Sequence, residues 1–91
     1  MNSVRSIEEQ CRILKAIAHP DRVEIILGLK NDGCNVGEIQ TRLGLPQSTI
    51  SHHLLILKNV GILRSERNGT MVCYCVEMEE VKKILEIIAA S

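Results

Sequence analysis

At 91 residues the chain is one small domain, too short to carry separate catalytic and regulatory modules. It is 45% hydrophobic but holds no Trp, no Phe and a single Tyr, so its core must come from Ile, Leu and Val, which suits packed helices and one small sheet. There is no apolar run of the roughly 18 residues a membrane-spanning helix needs, and Met1-Asn2-Ser3-Val4-Arg5-Ser6 lacks the apolar stretch of a signal peptide, which predicts a cytoplasmic protein. Thiols stay reduced in that compartment, so the four Cys are not expected to form a structural disulfide framework.

The formal net charge is zero, but it is unevenly spread. Residues 1–36 carry five basic and five acidic groups, and residues 71–91 carry two basic against four acidic. Residues 37–70 hold four basic side chains (Arg42, Lys58, Arg64, Arg67) against two acidic ones (Glu38, Glu66). The middle is thus the basic part, and a symmetric dimer would double that patch.

In chain order, Ile7, Cys11, Leu14 and Ile17 recur at helical spacing, so residues 6–18 read as an amphipathic helix, with Ser6 and Glu9 as a capping box. His19-Pro20-Asp21-Arg22 restarts the chain: His19 is placed to cap a second helix, Pro20 suits its first turn, and Val23, Ile26 and Leu27 supply its stripe. Asn31-Asp32-Gly33 ends it. Asn35, with Glu38 three residues on, opens a short third helix carrying Val36, Ile39 and Leu43, which Gly44 closes. A fourth helix runs from Pro46 to Gly61 with Ile50, Leu54, Leu57 and Val60 buried.

On the opposite face lie Gln47, Ser48, Ser51, His52 and Leu55. Uncharged polar side chains on the first two turns of an exposed face suit contact with base edges and phosphates, since they donate and accept without the cost of desolvating a carboxylate. A solvated helix surface would look the same in isolation, and the next segment weighs against that reading. Asn68-Gly69, between two strand-like runs, is a strong signal for a two-residue hairpin turn with positive φ at both positions. That turn would place Arg67 opposite Thr70 and Leu63 opposite Tyr74. Alternation puts Leu63, Ser65, Val72, Tyr74 and Val76 on one face, and Arg64, Glu66, Met71, Cys73 and Cys75 on the other. A basic hairpin tip directly after a recognition helix is a wing. Met78 to Ala90 repeats Val81, Ile84, Leu85 and Ile88 on one face of a final amphipathic helix.

The reading is a mainly α domain with a small β-hairpin, a winged helix-turn-helix in the order α1-α2-α3-α4-β1-β2-α5 over residues 1–91. Within it, residues 35–61 form the helix-turn-helix, 62–76 the wing, and 6–18 and 78–90 pack across a two-fold dimer axis, because a core this small cannot cover both terminal stripes. The expected DNA-contacting set on the fourth helix is Gln47, Ser48, Thr49, Ser51 and His52. An enzyme is not expected: no Ser-His-acid or Cys-His-acid set is placed by the sequence, and no Gly-rich phosphate loop occurs. The rival is a winged helix whose Gln47-to-His52 face docks a protein.

Ala18-His19-Pro20-Asp21-Arg22, Gly37-Glu38-Ile39, the run Leu45 to Leu57, Gly61-Ile62-Leu63 and the Asn68-Gly69 hairpin together resemble the ArsR/SmtB family of winged-helix repressors, over nearly the whole chain and in order. The resemblance implies a homodimer on a palindromic operator near its own promoter. Gln47, Ser48, Ser51 and His52 would lie in the major groove and Arg67, with Asn68 and Thr70 of the wing, on adjacent phosphate or minor groove, with half-sites about one helical turn, or a multiple of it, apart. The family's sensor sites are missing. Its Cys-x-Cys falls on Asn35 and Gly37, its last-helix zinc site needs His and no His follows His53, and its paired redox thiols fall on Leu27 and the Ala89-Ala90 end. An effector-independent repressor therefore stays open beside one relieved by a thiol-reactive signal or a thiophilic metal.

No cofactor is required by this reading, and no metal site is assigned. Cys11, on the apolar stripe of the first helix, reads as a packing residue. Cys34, beside a helix N-terminus, is the strongest candidate for a reactive thiol. Cys73 and Cys75 share a strand face with Cβ atoms about 7 Å apart, too far for a mutual disulfide, but placed to join a thiophilic ion with Cys11 as third ligand. His52 and His53 point about 100° apart on a helix and cannot chelate one ion together, and His53 reads as a packing residue.

Overall fold

The computed structural model describes residues 4–91; the first three residues of the stretch read above for a signal peptide lie outside it. Five helices and a two-stranded antiparallel sheet follow in the expected order: α1 (Ile7–Ile17), α2 (Pro20–Asn31), α3 (Val36–Leu43), α4 (Gln47–Asn59), β1 (Leu63–Asn68), β2 (Met71–Val76) and α5 (Glu79–Ala90). None of these helices is long and apolar enough to cross a membrane.

The capping box at α1 forms as read: the Ser6 hydroxyl accepts from the Glu9 N–H at 3.1 Å, and the Ser6 N–H donates to Glu9 at 2.8 Å. Those bonds hold the Glu9 carboxyl below its ordinary pKa. His19 caps α2 through Nδ1, which accepts from the Asp21 N–H at 3.1 Å. Asn35 precedes α3 without a side-chain bond to it.

The core is aliphatic. Ile25 and Ile26 from α2, Ile50 and Leu57 from α4, Ile62 and Val81 are fully buried, with Leu29, Ile39 and Leu54 around them. Each such side chain contributes about 1.5–3 kcal/mol by leaving water. The stripe on α2 differs from the expected one: Ile25, Ile26 and Leu29 face the core, whereas Val23 is half-buried and Leu27 exposed. Val23 and Leu27 turn instead toward Leu14, Ile84, Leu85 and Ile88, lining an apolar groove of 550 Å³ between α1, α2 and α5. Ile7, Leu14, Ile87 and Ile88 also stay exposed, at 75, 51, 69 and 64%. An amphipathic pattern identifies an apolar face, and here that face is uncovered within the single chain.

The hairpin register differs too. Leu63 pairs with Val76, Ser65 with Tyr74 and Asn68 with Met71, so the turn is Gly69-Thr70 rather than Asn68-Gly69. Gly69 has φ 66°, and no non-Gly residue among those described has positive φ, so Asn68 does not take the left-handed conformation that the expected turn required. Partners move by two residues and each side chain keeps its face. The cause is tertiary. The Tyr74 N–H donates to the Gly33 carbonyl at 2.7 Å, and the Glu77 N–H to the Ile62 carbonyl at 2.8 Å, anchoring both edges of β2. Gly33 is required at this contact, because a Cβ there would run into the Tyr74 carbonyl oxygen.

The same contact overturns the expectation of unbridged thiols. With Gly33 against Tyr74, Cys34 comes opposite Cys73, Cα to Cα 4.3 Å, and the two form a disulfide across 39 residues of sequence. Cys11 and Cys75 remain free.

One half-buried polar hub, centred on the buried His53, joins α1, α2 and α4. Arg22 donates through Nε to the Ala16 carbonyl at 2.6 Å and lies 3.2 Å, through Nη1, from Nδ1 of His53. Nε2 of His53 faces Asp21 at 3.6 Å, and the His19 ring stacks obliquely at 4.7 Å. His53 is buried as expected, at 5% exposure, and burial, then His19 and Arg22, push its pKa down.

Two outcomes follow from these contacts. Gly33→Ala should cost about 1–3 kcal/mol in denaturant unfolding, because the backbone must part to admit the methyl group. The folded state disfavours the His53 imidazolium, so as pH falls the unfolded chain takes up that proton first. This share of stability is fully present above about pH 7 and lost as pH drops through about 6.5 toward the folded pKa. A Tm series from about pH 8 to 5 should show that decline in the wild type and a flatter one in His53→Gln.

Candidate nucleic-acid interface

Helix α4 presents its first turns to solvent because α1, α2 and β1, together with the hub, hold its other face. Ile50, His53, Leu54 and Leu57 point inward, while Gln47, Ser48, Ser51, His52 and Leu55 are exposed. Thr49, counted with the contact set, is half-buried at the edge of that face. No acidic residue lies in the first turn. The helix follows Pro46 with no side-chain cap, so the N–H groups of Gln47 and Ser48, ahead of the first intrahelical bond, are free for an anion such as a phosphate.

The wing lies beside this face. Ser51, Leu55 and Lys58 of α4 and Tyr74 of β2 surround a 170 Å³ notch. At the hairpin tip Arg67, Asn68 and Thr70 are all exposed. Arg64 is committed to Glu77 at 2.8 Å and Glu66 at 3.0 Å, which raise its already high pKa further. Arg67 makes no ion pair among the described residues, nor does Lys58, whereas Arg42 reaches Glu24 at 3.5 Å. Lys58 on α4 and Arg67 on the wing are thus exposed cations that the described acidic groups leave unpaired.

The other face of β2 borders a cleft of 490 Å³ lined by Cys34, Cys73, Cys75, Lys30 and Lys82. Cys75 donates its S–H to the Glu66 carboxylate at 3.1 Å. That bond raises the Cys75 pKa and, with Arg64, lowers that of Glu66, so Cys75 is held as a protonated thiol. The expected ion site of Cys11, Cys73 and Cys75 does not form. Cys73 is spent in the bridge to Cys34, and Cys11 lies exposed on α1.

Among the described residues, the His, Cys, Asp and Glu side chains close enough to share an ion are His19, Asp21 and His53, with donor atoms within 4.8 Å of one another. Their bonding argues for a structural knot. Nδ1 of His19 already accepts from a backbone N–H, and a fixed guanidinium sits 3.2 Å from His53 where it would repel a cation. In the sequence His19-Pro20-Asp21-Arg22 reads as a helix start and as part of the family resemblance, not as half of a polar cluster. The spacing to His53 carries no local signal, although a His and an Arg falling on inward faces was a cue that each needed a partner.

Residues 19–65 match the model of the bacterial regulatory protein family arsR. The chain is 38% identical over 82 residues to an uncharacterised HTH-type transcriptional regulator of Methanocaldococcus jannaschii, covering 89% of this chain and 92% of that one. It is 34% identical over 84 residues to the transcriptional repressor PagR of Bacillus anthracis, covering 91% and 84%. The crystal structure of PagR superposes with a TM-score of 0.77 over 90% of this chain and 94% of that one. The homodimeric winged helix-turn-helix DNA-binding domain of a candidate ArsR-family regulator from Mycobacterium bovis does so with 0.78 at 25% identity, over 99% and 88%. The chain belongs to the ArsR family of bacterial regulatory proteins.

Proposed function

We propose that this chain is a homodimeric, sequence-specific DNA-binding repressor of its own or a neighbouring operon, acting in the cytoplasm and without catalysis of its own. The observation that carries the reading is the exposed, uncharged polar face of α4 with the wing beside it at Tyr74, a wing whose Arg67 makes no ion pair among the described residues. Gln47, Ser48, Ser51 and His52 read base edges in the major groove, with Thr49 at the margin, while Arg67, Asn68 and Thr70 engage the backbone or minor groove beyond it. The repressor name of the PagR relative and the DNA-binding, homodimeric description of the Mycobacterium bovis domain support this reading.

Residues 6–18 and 78–90 supply the dimer contact. A second copy is the occupant of the groove between α1, α2 and α5, since exposed Leu14, Leu27 and Ile88 form an apolar face larger than scattered surface residues explain. The two copies then present two α4 helices to successive major grooves. The two effector chemistries that the cysteines would serve are a thiol-reactive signal and a thiophilic metal. The Cys34 to Cys73 bridge favours the first.

The protein should retard a fragment of its own upstream region at about 50 mM salt and lose about a thousandfold in affinity by about 200 mM, through counterion release. Ser51→Ala and His52→Ala should weaken operator binding by about 10- to 100-fold while leaving random DNA nearly unaffected, and Arg67→Ala should weaken both alike. Failure to retard any upstream fragment at low salt would leave the protein-docking reading of α4 in its place. In light scattering the wild type should run at twice 10.2 kDa, and Leu14→Glu should reduce it to monomer; a monomeric wild type at micromolar concentration would remove the dimer from this scheme.

A further inference from the structure

We propose that Cys34 and Cys73 are a reversible thiol–disulfide site, oxidised by peroxide-class two-electron oxidants and reduced by low-molecular-weight thiols, whose state sets how firmly the wing is held against the helix-turn-helix. The proposal rests, for its effect on DNA, on the DNA-binding reading above.

The two sulfurs differ in access. Cys73 is 7% exposed where the Cys34 turn covers it, whereas Cys34 is half-buried in the cleft wall, so chemistry enters at Cys34. Cys34 lies two residues ahead of α3, at the positive end of that helix's dipole. Lys30 and Lys82 line the same cleft, partly neutralised by Glu86 and Glu79. The third thiol of the cleft, Cys75, is kept protonated by Glu66 and does not compete for the oxidant.

The chemistry balances without a cofactor. The Cys34 thiolate attacks a peroxide oxygen, giving a sulfenic acid and, after protonation, water. The Cys73 thiol then attacks that sulfur, forming the S–S bond and releasing a second water, so two thiols and one peroxide become one disulfide and two waters. In reverse, an external thiolate attacks the accessible Cys34 sulfur and releases Cys73. A second thiol resolves the mixed disulfide, leaving two protein thiols and one oxidised small-molecule pair.

The bridge joins two pieces of the interface. Cys34 belongs to the turn that positions α3, and Cys73 neighbours Tyr74, which lines the notch beside Ser51 and Lys58. When the bond is cut the sulfurs must part by roughly 1.5 Å, from bonded to van der Waals separation. Cys73 is buried, so the Cys34 turn or the β2 strand yields, and the Tyr74-to-Gly33 hydrogen bond is the backbone tie that remains between that turn and the wing. Oxidised, the wing and α4 are pre-organised as one surface. Reduced, DNA binding must supply the ordering.

The test equilibrates the full chain in dithiothreitol buffers of graded potential, or with hydrogen peroxide, and counts thiols by maleimide mass shift after denaturation. Two labels are expected in the oxidised protein, from Cys11 and Cys75, four in the reduced protein, and a constant three in Cys34→Ser. A wild type that keeps two labels in excess dithiothreitol, or four in peroxide, overturns the proposal. Binding to the upstream fragment should be at least about fivefold tighter oxidised than reduced, and indifferent to redox state in Cys34→Ser. Equal or tighter binding by the reduced form overturns it. If neither form binds any fragment, the DNA reading fails by itself, and hydrogen exchange at the amides of Arg67 to Thr70 still decides the switch: slower exchange in the oxidised form upholds it and equal exchange refutes it.

Discussion

Much of this molecule depends on one backbone contact, the hydrogen bond from Tyr74 to Gly33. It brings the turn between α2 and α3 against the second strand of the wing, where only a residue without a Cβ fits. The register of the hairpin, the meeting of Cys34 with Cys73 and the place of Tyr74 beside α4 all follow from it. A two-stranded hairpin alone is marginal in water. Here the second strand is held on both edges, by β1 on one side and by the Gly33 turn on the other.

A second constraint sets the attitude of α4. Arg22 reads the end of α1 through the Ala16 carbonyl and reads α4 through His53, while Asp21 and His19 close the ring around the imidazole. Buried polar groups are tolerable only when each has its partner, and no buried side-chain nitrogen or oxygen among the described residues is left without one. Aliphatic packing alone would let a short helix slide or rotate against its neighbours. Directional bonds at one point on α4 fix which residues face outward, and that choice is what a recognition surface needs.

The helices were legible in the sequence because their signals are local: Ser6 with Glu9, Pro20 after His19, and stripes at three- and four-residue spacing. The exposed side of α4 was legible for the same reason, since placing Ile50, Leu54 and Leu57 inside puts Ser48, Ser51 and His52 outside. What escaped depends on residues far apart in the chain. The Asn68-Gly69 turn lost to a register chosen by Gly33 and by Leu63 against Val76, and the thiols paired across 39 residues rather than along one strand. The stripe on α2 was misassigned because Val23 and Leu27 are apolar for a reason outside the single chain's core. Local periodicity cannot separate a face that meets its own domain from a face that meets something else.

The alternation of β2 has an architectural consequence. Tyr74 and Val72 stand on the side shared with Ser65, while Cys73 and Cys75 stand on the side shared with Glu66 and Arg64. One six-residue strand thus turns one side, through Tyr74, toward Ser51 and Lys58 of α4 and the other, through Cys73, toward the Cys34 turn. The two surfaces can diverge independently under selection, because a substitution at an even position of the strand leaves the odd positions in place. A length change by one residue is the exception: it would exchange the two faces at a stroke, so the strand can absorb a substitution on its outward side far more easily than an insertion or deletion.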